Sequence, residues 1–575
     1  MTRSRSAGAT VWLVVGLVAG LAGCAGIPTS GDVVEGEPIA EAERPPYVGF
    51  DQADPPDAGD SPEGIVAGFV AAMASYEPDY PTARLFLAPD AGAAWQPSAR
   101  TTIYARDPVV TPGTDGRVQL TLAVLGTVSP QDGFVRERPD TTRDFALRLD
   151  QVNGEWRIAN PPAGIIVSDL DFDSEFQAFD LYFFDPAFDV LVPEPVHVPI
   201  RSSGSTTTLL AEALLRGPSQ WLAPAVRTAF PAETALAVRG VRVESGRAIV
   251  ELTEQAADGT SDVEAERMEA QLVWTLTQIP GVRQVTVSSG GDPLRAGGPT
   301  AASVDTSRDY DPESLLRRRV LYAIAATGVV RLEGDGAARV PGLLGSAVGA
   351  TDLAVNPLAD EAAVVAANGR ELSWASYTSE ANLTPLTSGT DLDVLSWDRT
   401  GLVWVTDRTD AGTTLLVCEP GEAGSEPAPV ATPDLRGRPI DDLAVSLDGT
   451  RVAVVSDGRV LVGLILRDPL VPMSVRVAGL RPVPLEAGSV TAVAWSGSTQ
   501  LAVLVDELDA DTGAYRIDLT DWALTATGPL PEGGVTLAAA PREDLAVGTA
   551  DGLVLRQRTG SWNLAGQAAR PVYPG

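Results

Sequence analysis

The chain of 575 residues contains no lysine, so every one of its 42 basic residues is an arginine. It has one histidine, His197, and two cysteines, Cys24 and Cys418. Each shortage removes a chemistry. A phosphate-binding P-loop needs its lysine, and an HExxH zinc motif needs two histidines. Two cysteines make neither a disulfide framework nor a CxxC metal knuckle. Basic residues are also outnumbered, with 76 Asp plus Glu giving a formal net charge of −34. A surface of that sign repels phosphate backbones and argues against nucleic acid as a partner. Long apolar runs are scarce too. The strongest early one, Val11 to Leu21, is well short of the roughly 20 residues that a spanning helix needs.

That short run has a different use. Arg3 and Arg5 precede it, and Leu21-Ala22-Gly23-Cys24 follows. The order is that of a bacterial lipoprotein signal peptide with its lipobox. Small residues let the backbone enter a peptidase site, and only a thiol can form the thioether to a diacylglyceryl group. The expected cleavage lies between Gly23 and Cys24, leaving Cys24 with S-diacylglycerol and an N-acyl chain. Acyl chains of this kind hold a protein on a membrane without a spanning helix. The expected location is therefore the cell membrane, on its extracytoplasmic face. Residues 24–60 are rich in Gly, Pro, Asp and Glu, a composition with too little apolar surface to order itself, and read as a disordered tether.

Three folded regions follow, making the chain multidomain. In 61–168, a helix signal opening at Ser61-Pro62 gives way to alternating strands, with an Asn153-Gly154 hairpin turn in "QVNGEW". This predicts an α+β domain with a curved antiparallel sheet, NTF2-like in outline. In 169–298 the order is strand, helix, hairpin, helix, strand. Ser261 and Glu264 form a capping box before the stripe Ala265, Met268, Leu272, Leu276 and Ile279. That order predicts a small two-layer α/β domain. In 304–575 five segments share one frame of strand, polar turn and strand. Aligning Pro357, Trp397, Leu447, Trp495 and Pro541 gives successive spacings of 40, 50, 48 and 46 residues. Such a period predicts a β-propeller of about six blades. The stretch "VLYAIAATGVVRL" is expected to help close the ring.

Candidate chemistry is sparse. No catalytic set assembles: "GSAVG" at 345–349 misplaces the serine of a GxSxG elbow. His197 sits alone in a Pro-flanked strand and reads as structural. Asp169, Asp171 and Asp173 open with calcium-loop spacing, but Ser174 stands at the sixth position and no Glu at the twelfth. A domain-joining loop is the better reading, and neither a metal nor a cofactor is implied. Arg317 to Arg319 read as a solvated or inter-domain face, with a docking patch as the sharper alternative. Cys418 reads as a small buried hydrophobe. Trp374, Trp397, Trp404 and Trp495 read as packing between blades, unless they ring an exposed rim and stack glycans.

"ALLRGPS", "RTAFPAET", "IVELT" and "MEAQLVWTLTQIPGVRQVTVSSGG" resemble the GerMN domain of sporulation and germination proteins. With the lipobox and the propeller, the chain resembles the LpqB family of actinobacterial lipoproteins. That resemblance implies association with the MtrA–MtrB two-component system. The implied partner is the extracytoplasmic domain of an MtrB-like sensor histidine kinase, with effects on envelope homeostasis and division, and the implied role is binding rather than catalysis. The alternatives are a peptidoglycan- or glycan-binding envelope protein, a propeller hydrolase, or a solute receptor with a deep pocket in its first domain.

Overall fold

A computed structural model describes residues 54–575, apart from 75–78, 131, 139, 200–202, 296, 299–300, 315–319, 335, 348, 379–381, 422–425, 469, 486–487, 507–511, 532 and 559. The described residues all fall in one compact unit. Residues 54–60, the end of the stretch expected to be a tether, belong to that unit. There the Gly59 N–H donates to the Glu155 carboxylate at 2.8 Å.

Helix α1 (Pro62–Ala74) starts where its sequence signal places it. The Ser61 hydroxyl accepts the Gly64 N–H at 3.2 Å and satisfies an otherwise orphaned donor. Its face of Ile65, Val66, Phe69 and Met73 is fully buried. Short helices α2 (Pro81–Arg84) and α3 (Pro89–Ala94) follow. The sheet beneath contains β1 (Thr101–Tyr104), β2 (Val109–Pro112), β3 (Arg117–Ser129), β4 (Gly133–Arg136), β5 (Thr142–Val152), β6 (Glu155–Ile158) and β7 (Ile165–Ser168). Along β3, Val118, Leu120, Leu122 and Val124 alternate inward, so one face of the strand seals the core. Asn153 (φ 54°) and Gly154 (φ 88°) both take the left-handed conformation between β5 and β6, as the turn signal requires. The sheet differs from the expected one in a single pairing: β7 lies parallel to β1, with Thr101 opposite Ile165. After β6 the chain crosses back before re-entering the sheet, which reverses its direction relative to a hairpin return.

The expected loop at Asp169–Asp173 is instead a helix, α4 (Asp169–Glu175). The Ser168 hydroxyl accepts the Asp171 N–H at 3.1 Å, and Asp169 and Asp171 occupy the first turn. A capping serine and acids at a helix N-terminus give alternate carboxylates a structural reason that owes nothing to a cation.

The second region opens with the hairpin β8 (Phe176–Phe184) and β9 (Leu191–Pro199). Helix α5 (Ser203–Arg216) follows, then the hairpin β10 (Arg242–Glu244) and β11 (Arg247–Leu252). Helix α6 (Asp262–Leu276) carries the predicted reciprocal capping box at Ser261 and Glu264. Strand β12 (Gln284–Ser289) then returns parallel to β11. Leu210 and Leu214 of α5 meet Met268, Leu272 and Leu276 of α6 in a fully buried core. One propeller residue, Leu464, is part of the same core.

Beyond it, the described residues form six four-stranded sheets in sequence, the blades of a propeller. The innermost strands are Asp352–Val355, Leu392–Trp397, Asp442–Val445, Ser489–Gly497 and Gly534–Ala538 for blades two to six. The first blade takes its inner strand from the far end of the chain. Ala569–Val572 pairs with Leu321–Ala325, placing Val572 opposite Tyr322. The ring is thus closed by joining its two ends in one sheet, so Leu321–Ala325 is covered by a fourth strand like its counterparts in the other blades.

Candidate functional site

A cleft of about 680 Å³ is lined by the first two domains. Its size suits a small ligand, since binding cavities commonly run from about 300 to 1,000 Å³. One wall comes from the loops around α2 and from the ends of β3, β4 and β7. The other comes from β9 and one face of α5.

Trp95 anchors the first wall. Its indole N–H lies 3.0 Å from the Pro162 carbonyl and 3.1 Å from that of Gly164, and Phe69 and Tyr80 pack on the ring at 5.5 and 6.1 Å. The Arg84 guanidinium lies 5.3 Å over the same indole and pairs with Asp79 at 2.5 Å. Asp79 and Tyr80 both have positive φ, 64° and 50°. Two consecutive non-glycine residues held there represent stored backbone strain. Gly164 is a strict requirement. With φ at +81°, an added Cβ would lie 1.9 Å from the Arg100 carbonyl oxygen. That close approach lets Arg100 accept the Ile165 N–H at 2.7 Å, where β7 joins β1.

Phe134, Phe176, Val196 and Leu209 make much of the remaining lining apolar, and His197 lies among them. Phe134 and Phe172 flank the imidazole at 5.3 and 5.1 Å. Its Nδ1 atom is buried without a hydrogen-bond partner. Burial holds its pKa down at about 4, so the ring is neutral at physiological pH. Charge in the cleft therefore comes from Arg84, Arg100 and Arg216 against the single carboxylate of Asp79 among the described lining residues. Arg100 and Arg216 are exposed and have no ion-pair partner among those residues.

The propeller axis is polar in a different way. Arg570 meets Asp393 at 3.2 Å, and Asp352 and Asp442 stand on neighbouring inner strands. These carboxylates already have partners. Asp352 accepts the N–H of Leu353 and that of Leu395 in the next blade, at 2.8 and 3.0 Å. Asp442 does the same with Leu443 and Val493, at 2.9 and 2.7 Å. Burial, offset by those hydrogen bonds, raises Asp442 to about 7. The acids clip one blade to the next.

Where the domains meet, Trp221 donates its indole N–H to the Gly479 carbonyl at 2.8 Å, under the Arg481 guanidinium at 4.7 Å. Arg481 reaches the first domain, donating to the Asp132 carbonyl at 2.8 Å. Arg451, 4% exposed, pairs with the fully buried Asp448 at 2.5 Å and reaches the Pro193 carbonyl in β9.

Of the residues singled out from sequence, Cys24, Gly23 and Arg317 to Arg319 lie outside the described residues. Trp397, Trp404 and Trp495 are buried, and Trp374 packs at the edge of a blade core, as blade packing requires. Cys418 is buried, and burial pushes its thiol up to about 12, which makes it a poor nucleophile. Arg100 and Arg216 carried no signal in the sequence, because only the packing of α5 against the first domain brings them to one cleft. Among the described residues, no cluster of His, Cys, Asp and Glu is placed to hold a metal. No described helix is long and apolar enough to cross a membrane.

These features define a β-propeller protein with two α/β-type modules packed against it and a cleft between those modules. Comparison with known families assigns each part. Residues 55–173 match "Lipoprotein LpqB, N-terminal domain", 180–295 match "Sporulation and spore germination", and 327–574 match "Lipoprotein LpqB beta-propeller domain". Lipoprotein LpqB of Streptomyces coelicolor is 31% identical over 100% of this chain and 98% of its own. That of Streptomyces avermitilis is 30% identical over 96% of each chain, and that of Thermobifida fusca 29% over 96% of this chain and 97% of its own. The chain belongs to the LpqB family of lipoproteins.

Proposed function

We propose that this chain is an extracytoplasmic lipoprotein, anchored in the cell membrane through acylated Cys24, that binds the extracytoplasmic domain of an MtrB-like sensor histidine kinase. By that contact it adjusts the signalling of a two-component system and, through it, envelope homeostasis and division. The role is binding, not catalysis. The observation that carries the reading is the joining of three modules into one body through Trp221, Arg451 and Arg481. A rigid body can favour one kinase state over another, and unequal affinity for the two states is all that such regulation requires. The buried tryptophans count against the glycan-stacking alternative, which needs them on an exposed rim.

The test is in-cell crosslinking of a tagged full-length chain beside a Cys24→Ala variant. Recovery of a sensor kinase by the parent and its loss with the variant is the expected result. Recovery of wall fragments without a kinase would move the reading to peptidoglycan binding. Membrane retention of the Cys24→Ala variant would refute the anchor.

A further inference from the structure

We propose that the cleft between the first two domains binds a small anionic amphiphile, a molecule with an acyl-like apolar body and a carboxylate or phosphate head. This inference is independent of the kinase reading. Three observations carry it. The walls are apolar and pre-formed: Trp95 is fixed by two hydrogen bonds, and Phe134 and Leu209 face the same space. The volume of about 680 Å³ accommodates a chain-like ligand. The charge of the lining is also inverted relative to the molecule. In a chain of net charge −34, the described lining holds three arginines and one aspartate, and that aspartate is engaged by Arg84.

Arg100 and Arg216 are the head-group candidates. Arg216 ends α5, where it complements the helix dipole. Arg100 is placed by the backbone contact that Gly164 permits. Their planar guanidinium groups suit an oxyanion, and a charge-assisted hydrogen bond beside apolar walls is stronger than one in open water. His197, neutral here, adds no competing charge. An inorganic anion would leave the aromatic wall unused, and an uncharged lipid would leave two arginines without a partner.

The test uses residues 53–575, which form one compact unit with its own cores. Calorimetric titrations below micelle-forming concentrations compare dodecanoate, dodecyl phosphate, dodecanol and acetate. One equivalent of each long-chain anion should bind, with dodecanol at least about tenfold weaker and acetate silent. The Arg100→Gln/Arg216→Gln variant should melt like the parent and bind the anions at least about tenfold more weakly. The tighter of the two anions assigns the head as carboxylate or phosphate, and either result supports the site. Equal affinity for dodecanol and dodecanoate, parent-like binding by the double variant, uptake of several equivalents, or no binding by either anion would each overturn it.

Discussion

His197 shows how burial decides the behaviour of a single residue. With its folded pKa near 4 and an unfolded value near 6.5, the unfolded chain takes up the proton first as pH falls. The neutral ring therefore contributes stability that is present above about pH 6.5 and lost as pH falls towards 4. His197→Phe fills the same slot between Phe134 and Phe172 and cannot titrate. Its melting temperature relative to the parent should rise between pH 7.5 and pH 5, a difference of about 2 kcal/mol at pH 5. Equal offsets at both pH values would show that the imidazole is solvated.

The Arg451–Asp448 pair is the opposite case. Burial raises the Asp448 carboxyl, but Arg451 and the Thr450 hydrogen bonds outweigh it and hold the pKa below the usual carboxylate range. The pair therefore contributes stability that is present above the usual carboxylate pKa and is lost only as pH falls through the lowered folded value. Arg451→Met leaves that carboxylate buried without its counter-charge, though still hydrogen-bonded by Ser446 and Thr450, a loss of about 3 kcal/mol readable by chemical denaturation. Local signals such as the Ser61 cap, the Ser261–Glu264 box and the Asn153-Gly154 turn were legible because each acts within four residues. The Ser168 cap was masked by carboxylates whose spacing suggested a cation loop. Arg451 had no signal, since its partners include Pro193, 258 positions away.

At the scale of elements, the propeller was legible through its period, because every blade repeats the same strand–turn–strand economy of apolar and polar positions. Its closure was legible only in part. "VLYAIAATGVVRL" suggested one side of the seam, whereas the partner strand Ala569–Val572 contains Arg570 and Pro571, an unpromising strand sequence. Both residues have reasons in the structure. Arg570 pairs with Asp393 across the axis, and a strand paired on one side only tolerates a proline. Ending the chain at Ala568 should expose the inner edge of Leu321–Ala325 and remove that ion pair. The expected outcome is loss of soluble protein and rapid proteolysis of the propeller, with the first domain more resistant. A truncated chain with parent-like protease resistance would show that the seam is dispensable.

At the scale of the whole molecule, the decisive feature is how the second domain is fixed to the propeller, and no local pattern encodes it. Trp221 and Gly479 are also 258 positions apart. A tryptophan in a loop reads as surface until its partner is known. Trp221→Ala removes an indole hydrogen bond, the stacking surface of Arg481 and part of the shared apolar contact, while the fully buried residues of the second domain's core, Leu272 among them, are kept. Trp221 is half-buried, so its truncation should cost less than the about 3–5 kcal/mol of a fully buried aromatic, and the loss is drawn largely from an inter-domain contact. Differential scanning calorimetry of the parent should give one dominant transition, and the variant should show the first two domains melting apart from the propeller. If the variant retains one transition at the parent temperature, the coupling runs through Arg451 and Leu464 instead. If both proteins show separate transitions, the domains are not energetically joined, and regulation by a rigid three-module body loses its physical basis.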